Sequence, residues 1–255
     1  MKVKLTDMTL KEIRDEGRFE IAVVGWGATE AHNMHIPYGC DGLITEKIAE
    51  ISAMKAKAKG AKVIVLPAMY IGMNANHIGF PMVMHFSLST QQSIISDILW
   101  TLKTNNIKKL LIINGHGGNE FKGLLREFFS QTHIRIFLSN WWEIREDVIN
   151  SVTEDHSGEH ANEFETSCCM YLFPELVHLE WADEGRVREP KIESLKKGQV
   201  WLTRPWKSLT TNAGYGNPMK STSEKGEKII HAVTETLADI IKEISDAVID
   251  ENFPY

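Results

Sequence analysis

Cysteine is scarce. The 255-residue chain has three, Cys40, Cys168 and Cys169, two of them adjacent. A small odd number argues against a disulfide framework and predicts reduced thiols, as in a cytoplasm. Long apolar runs are also missing. The longest cover a few residues, too short to cross a bilayer, so no membrane association is expected. The N-terminal stretch turns acidic where a secretory leader would carry its apolar core. No block of basic residues exists, and 28 Lys plus Arg face 34 Asp plus Glu, a formal net charge of −6. No nucleic-acid partner is therefore expected. Repeats, low-complexity tracts and linkers are absent, which predicts one domain over residues 1–255. With 43% hydrophobic and 24% charged residues, the chain can bury a substantial core.

What is present is an alternation of apolar runs and helical periods. Ile21–Val24, Val63–Leu66, Leu110–Ile113 and Ile134–Leu138 read as buried strands. Between them, Ile44, Ile48, Ile51 and Met54 fall at helical spacing, as do Ile94, Ile95, Ile98, Leu99 and Leu102, and then Phe121, Leu124, Leu125, Phe128 and Phe129. Thr9 with Glu12 and Ser89 with Gln92 have capping-box spacing. Further helices are predicted from Asn162 to Leu172 and from about Ser223 onward. Residues 183–222 lack periodicity and read as a long irregular excursion, a feature often tied to function. Wholly apolar strands alternating with helices predict an α/β fold, a mostly parallel sheet with helices on both faces.

Open parallel sheets bind ligands beyond the carboxyl ends of their strands. The first strand is followed by Glu30, His32, His35 and Asp41, and the second by Asn74, Asn76 and His77. The third is followed by Asn114-Gly115-His116-Gly117-Gly118-Asn119, and the fourth by Trp141, Trp142 and Glu143. A later loop supplies His156, Glu159 and His160, with Glu165 just beyond. Imidazoles and carboxylates gathered at one sheet edge suit divalent zinc, manganese or iron. Duller readings stand beside these. The 114–119 turn could cradle a phosphate, Glu165 could be the helix-cap partner of Asn162, and Trp141 could be core.

These segments resemble the creatininase (creatinine amidohydrolase) family over nearly the whole chain. Gly27-Ala28-Thr29-Glu30-Ala31-His32, with His35, Pro37 and Asp41, is similar to the family's G-A-T-E-Q-H-G-P-H-L-P-x-x-T-D opening. Asn114–Asn119 resembles N-G-H-G-G-N, and Glu159–Ser167 resembles E-H-G-G-x-F-E-T-S. Gly216-Asn217-Pro218 and Ser223–Glu227 resemble its G-D-P and S-x-E-K-G-E segments. The resemblance implies a two-metal amide hydrolase, usually a homohexamer, acting on a small-molecule amide. Carried over by position, Glu30, Asp41 and His116 match the ligands of one metal. His32 and Asp41 match ligands of the second, with Asp41 bridging. Glu159 and His160 match a proton-handling pair, and Trp141 an aromatic covering the substrate. His77 and Asn119 are candidate substrate contacts.

Two departures bear on chemistry. Creatinine-hydrolysing members carry a glutamate ligand within the N-G-H-x-E-N loop where this chain has Gly118, so Glu165 becomes the candidate replacement. The family's F-P-G-T is Phe80-Pro81-Met82-Val83 here. The N-G-H-G-G-N form also occurs in relatives that deformylate a pyrimidine nucleotide intermediate, so a cyclic amide and a formamide both stand as expected substrates. A phosphate- or nucleotide-binding protein and a catalytically inactive oligomeric family member are the alternatives.

Overall fold

The computed structural model describes residues 2–255. The four apolar runs become β1 (Ile21–Trp26), β2 (Val63–Val65), β3 (Lys109–Asn114) and β4 (Arg135–Asn140). All pairings are parallel, in the order β2-β1-β3-β4. Trp26 registers with Asn114, and Asn114 with Asn140. The carboxyl ends of β1, β3 and β4 therefore lie along one edge. β2 is shorter than its apolar run, because Pro67 cannot donate to the ladder.

The helices are α1 (Leu10–Glu16), α2 (Cys40–Ala58), α3 (Leu88–Thr104), α4 (Phe121–Phe128), α5 (Glu146–Val152), α6 (Glu163–Leu172), α7 (Glu193–Lys196), α8 (Trp206–Leu209) and α9 (Ser223–Asp246). Successive strand side chains point to opposite faces. Ile21, Val23, Leu111 and Ile113 pack with residues of α2, α6 and α9, including Ile44, Cys168 and Ile229. Ala22, Val24, Trp26, Leu110 and Ile112 pack with Ile95 and Leu99 of α3 and Phe121 of α4. The fold is thus mixed α/β, a parallel sheet covered on both faces, as the wholly apolar strands require. Among the described residues, no helix is long and apolar enough to cross a membrane.

Local signals act as their chemistry dictates. Thr9 and Glu12 close a capping box on α1. α3 begins two residues earlier than the Ser89–Gln92 spacing predicts. Its cap is Ser87, whose hydroxyl accepts from Thr90 N at 3.2 Å. α5 has no counterpart among the predicted helices. It has seven residues, too few for a clear period, and follows Arg145 in the left-handed region at φ 65°. The excursion over 183–222 holds only the short α7 and α8.

The topology fixes where a ligand can sit. β1 leads into α2 on one face, and β3 leads into α4 on the other. Their loops part between adjacent strands, leaving a crevice at the carboxyl edge. Gly27 lets α2 press into it, since a Cβ there would lie 2.3 Å from the Asp41 carbonyl carbon. The first turn of α2, with Asp41, thereby rests against the end of β1.

Candidate metal centre

Side chains from separate loops converge in the crevice. Asp41 stands in the middle. Its Oδ1 is 3.0 Å from His32 Nε2, and its Oδ2 is 3.3 Å from His116 Nδ1. Glu30 Oε1 lies 3.1 Å from His116 Nδ1 and 3.7 Å from His160 Nδ1, while Oε2 lies 2.6 Å from His77 Nδ1. Ligand atoms of Glu30, Asp41 and His116 fall within 4.8 Å of one another, as do those of His32, His160 and Glu165 and those of Glu30, His77 and His160. The structure brings together the four residues carried over from the family pattern as metal ligands, Glu30, His32, Asp41 and His116, and with them Glu165, the candidate replacement for the glutamate absent at Gly118.

Glu165 combines both of its sequence readings. Its backbone N–H donates to the Asn162 cap at 3.1 Å, so it occupies the third position of α6. Its carboxylate accepts from Ala161 N at 2.5 Å and also faces His32 and His160. Gly118 cannot carry the missing glutamate without rearrangement. A Cβ there would lie 2.4 Å from His116 Nε2 and 2.6 Å from Met73 O.

Burial and mutual charge set the protonation pattern. Burial opposes the Glu30 charge, but His116, His77 and His160 outweigh it and hold the carboxyl well below its usual range. Burial likewise opposes ionisation of Asp41, and His32 and His116 bring it down. His32 is desolvated, yet Asp41 lifts it to about 10. Burial pushes Glu165 up to about 7. Burial, reinforced by His32, pushes His160 down to about 3. A divalent ion would take the place of the protons on its ligands. The loaded site then holds fewer protons than the free one, so affinity for zinc is expected to rise with pH. Calorimetry in two buffers of different ionisation enthalpy reads the released protons; identical heats in both buffers would refute the pattern.

The donor set fits divalent cations. Asp41 Oδ2 is buried without a hydrogen-bond partner, and so is His77 Nε2. Carboxylate oxygens and imidazole nitrogens are the ligands that zinc and manganese prefer. The same charges disfavour a phosphate cradle, because His116 faces Glu30 and Asp41 at 3.1 and 3.3 Å. An anion there would meet two carboxylates.

Three sequence expectations are corrected. Glu159 is not in the cluster. Its exposed carboxylate pairs with Arg204, because neighbouring residues in the extended stretch bridging Tyr215 point to opposite sides. Trp141 is core rather than a substrate wall. It is 2% exposed and lies against Phe164 at 4.8 Å between ring centroids. Trp141→Ala is accordingly expected to lower stability by about 3–5 kcal/mol, read by denaturant unfolding. A change in KM at unchanged stability would restore the wall reading. Asn119 belongs to the scaffold: its Oδ1 accepts from Met73 N and Gln91 Nε2, and its Nδ2 donates to Asn114. These bonds tie the loop after β2 to the loop after β3.

His77 does reach the cluster. The aromatic that lies against the cluster is Trp206, which sequence reasoning missed. Its ring meets His77 edge-on at 4.3 Å and His160 at 4.8 Å. It packs with Ala31, Phe80 and Ala213. The only available signal was its place in the aperiodic excursion.

A doubly covered parallel sheet with a buried carboxylate–imidazole cluster at its switch point defines an α/β protein with a metal-capable centre. The sequence profile described as creatininase, creatinine amidohydrolase, matches residues 6–241; the chain belongs to the creatininase family. It is 28% identical to 3-dehydro-scyllo-inosose hydrolase of Thermotoga maritima, over 94% of this chain and 82% of that one. It is 26% identical to creatinine amidohydrolase of Pseudomonas putida, over 85% and 86%. A Bacteroides fragilis structure classed with the creatinine amidohydrolases superposes with a TM-score of 0.92 at 34% identity, covering 98% of this chain and 100% of that one. Creatininase structures in a manganese form and, for a glutamate-to-glutamine mutant, a Zn–Zn form share the fold at 22% identity, with TM-scores of 0.80 and 0.79 and coverage of 97% of this chain and 100% of theirs.

Proposed function

We propose that the chain is a metal-dependent hydrolase that cleaves the C–N bond of a small cyclic amide or formamide. The observation that carries this reading is the position of Asp41, one carboxylate between His32 and His116 with an oxygen left unpartnered in a buried site. Two divalent ions would be held there, one by Glu30, Asp41 and His116 and the other by His32, Asp41 and Glu165. Zinc is the first candidate, with manganese or iron as others. When bound, such ions lower the pKa of a coordinated water toward about 7 and polarise a carbonyl.

The chain's own residues supply the rest. His160 Nε2 lies 2.9 Å from the Ala31 carbonyl. Donation there fixes the tautomer and leaves the Nδ1 lone pair on the cluster side, 3.7 Å from Glu30. His160 Nδ1 is thus placed to deliver a proton to the leaving nitrogen; with its pKa pushed down to about 3 in the free site, it takes that proton up only as negative charge develops beside it. Trp206, Phe80 and Ala31 exclude bulk water above it. The family resemblance further supports a homohexamer, and the three unpaired cysteines support a reducing compartment such as the cytoplasm.

A second reading has one specific support. A relative matching 94% of the chain is named for a ring ketone with a second oxidised carbon rather than an amide. The same centre would aim water at one ring carbonyl, breaking the adjacent C–C bond as the second carbonyl takes up the electron pair and the released carbon is protonated. Elemental analysis of chelator-free protein, followed by a panel of lactams, formamides and cyclic polyol ketones, separates these readings. Two ions per chain with amide turnover is the expected result; turnover of ketones alone would establish the second. Glu165→Gln is expected to reduce bound metal from about two per chain toward one. Unchanged stoichiometry with a slightly lowered melting temperature would leave Glu165 only its cap role.

A further inference from the structure

The cover over the cluster hangs from a surface contact. Trp206 is buried and its backbone N–H donates to Asn76 O at 3.1 Å, which fixes the amide at the loop carrying His77. The chain leading to it is loose. Among the described residues, positions 200–204 make no backbone–backbone hydrogen bond. Val200, Trp201 and Leu202 are all exposed, Trp201 to 83%. What holds the end of this strap is Arg204. Its guanidinium lies 5.5 Å from the centre of the Trp206 ring and pairs with the Glu159 carboxylate. Glu159 is the residue before His160, and both backbone N–H groups donate to Tyr215 O. The loop that places His160 beneath the cover thus also presents the anion that retains the cover above it.

Resting on the reading of this cluster as a hydrolytic centre, we infer that Glu159 and Arg204 form a latch that holds Trp206 as the roof of the site and thereby sets the size of substrate admitted. The ring centroids of Trp206 lie 4.3 and 4.8 Å from those of His77 and His160. A substrate cannot slip between them, so admission requires Trp206 to lift. An exposed ion pair suits a cover that must open, since losing one shifts an equilibrium by about fivefold at most, and the guanidinium–indole contact adds to it. Glu159 and Arg204 are positioning residues; Trp206 is the group that meets the substrate. The departure of Glu159 from the cluster thereby gains a role.

The probe is diethyl pyrocarbonate, which acylates imidazole nitrogen, applied to the full chain. Peptide mapping compares the labelling rate of His160 with that of exposed His133 in the same molecule. The ratio is expected to rise about 3–5-fold in Glu159→Gln and in Arg204→Gln, and further in Trp206→Leu. The charge-swapped double variant Glu159→Arg, Arg204→Glu should reverse most of the rise, short of the part owed to the guanidinium–indole contact. A purely structural role would not be rescued by the swap. Circular dichroism identifies any variant that fails to fold, and Trp206→Phe, which keeps an aromatic in the apolar cluster, then replaces Trp206→Leu. An unchanged ratio in a folded Trp206 variant overturns the roof, and failure of the swap overturns the latch. With amide substrates, the latch variants should gain kcat/KM on bulkier members of the panel relative to the smallest. If the wild type hydrolyses nothing on the panel, the hydrolytic reading fails while the labelling ratio still decides the latch.

Discussion

Asp41→Asn is expected to strip both ions and abolish turnover. The substitution preserves side-chain volume and the hydrogen-bonding reach toward His32. It removes the negative charge that lies between His32 and His116, at 3.0 and 3.3 Å. No neighbour can replace it. Glu30 is already committed toward His116, His77 and His160, and Glu165 already accepts from Ala161 N. On the proposed reading Asp41 would serve both ions, so its loss would not be confined to one. Lewis-acid stabilisation is worth several kcal/mol, and each 1.36 kcal/mol is tenfold in rate. The fall in kcat/KM is therefore expected to be about 10³-fold or more.

Chelated wild type is the control. Asp41→Asn should match it in metal content and activity, and its melting temperature should no longer rise when zinc is added. Two ions per chain in the variant would show that the carboxylate is not a bridge. One ion retained would assign Asp41 to a single site and require another group for the second.

The sheet and most of the cluster were legible because they rest on short-range rules. Wholly apolar strands such as Ile21–Val24 and Leu110–Ile113 require cover on both faces. The carboxyl edge of a parallel sheet then collects whatever follows each strand, which is how Glu30, His32, Asp41 and His116 could be placed before their distances were known. Side-chain direction within a loop was not legible. Glu159 and His160 are adjacent, and a one-residue alternation puts one on the surface and the other in the site. Trp141 and Trp206 differ in the same way. Trp141 follows β4 and looked like a wall, yet it turns into the core against Phe164. Trp206 lies 41 positions beyond Glu165 in an aperiodic excursion, and only tertiary contact brings it over His77. Glu165 shows a further limit. Cap and site contact are not exclusive, because the cap uses its backbone and the site its carboxylate.

His160→Ala is expected to keep both ions and lose most of the turnover. Nε2 is anchored on the Ala31 carbonyl at 2.9 Å, and the ring sits between His32, at 4.1 Å, and Trp206, at 4.8 Å. Nδ1 is the ring atom left for chemistry. Nδ1 lies 3.7 Å from Glu30 Oε1, and His160 belongs to neither proposed ligand set, Glu30–Asp41–His116 or His32–Asp41–Glu165. Removing the ring should thus spare the ions. Loss of positioned acid–base catalysis costs about 10²–10⁴ in rate, and it should appear in kcat rather than KM, because a proton in flight contributes to the transition state and not to the bound substrate. Added imidazole provides a check specific to proton transfer. It should recover part of the activity of His160→Ala by entering the space under Trp206, and it should do nothing for Asp41→Asn. Loss of metal in His160→Ala would instead make the histidine a ligand, in line with the proximity of its ring to His32 and Glu165. Unchanged turnover of an identified substrate would remove the loop after Gly158 from the chemistry altogether.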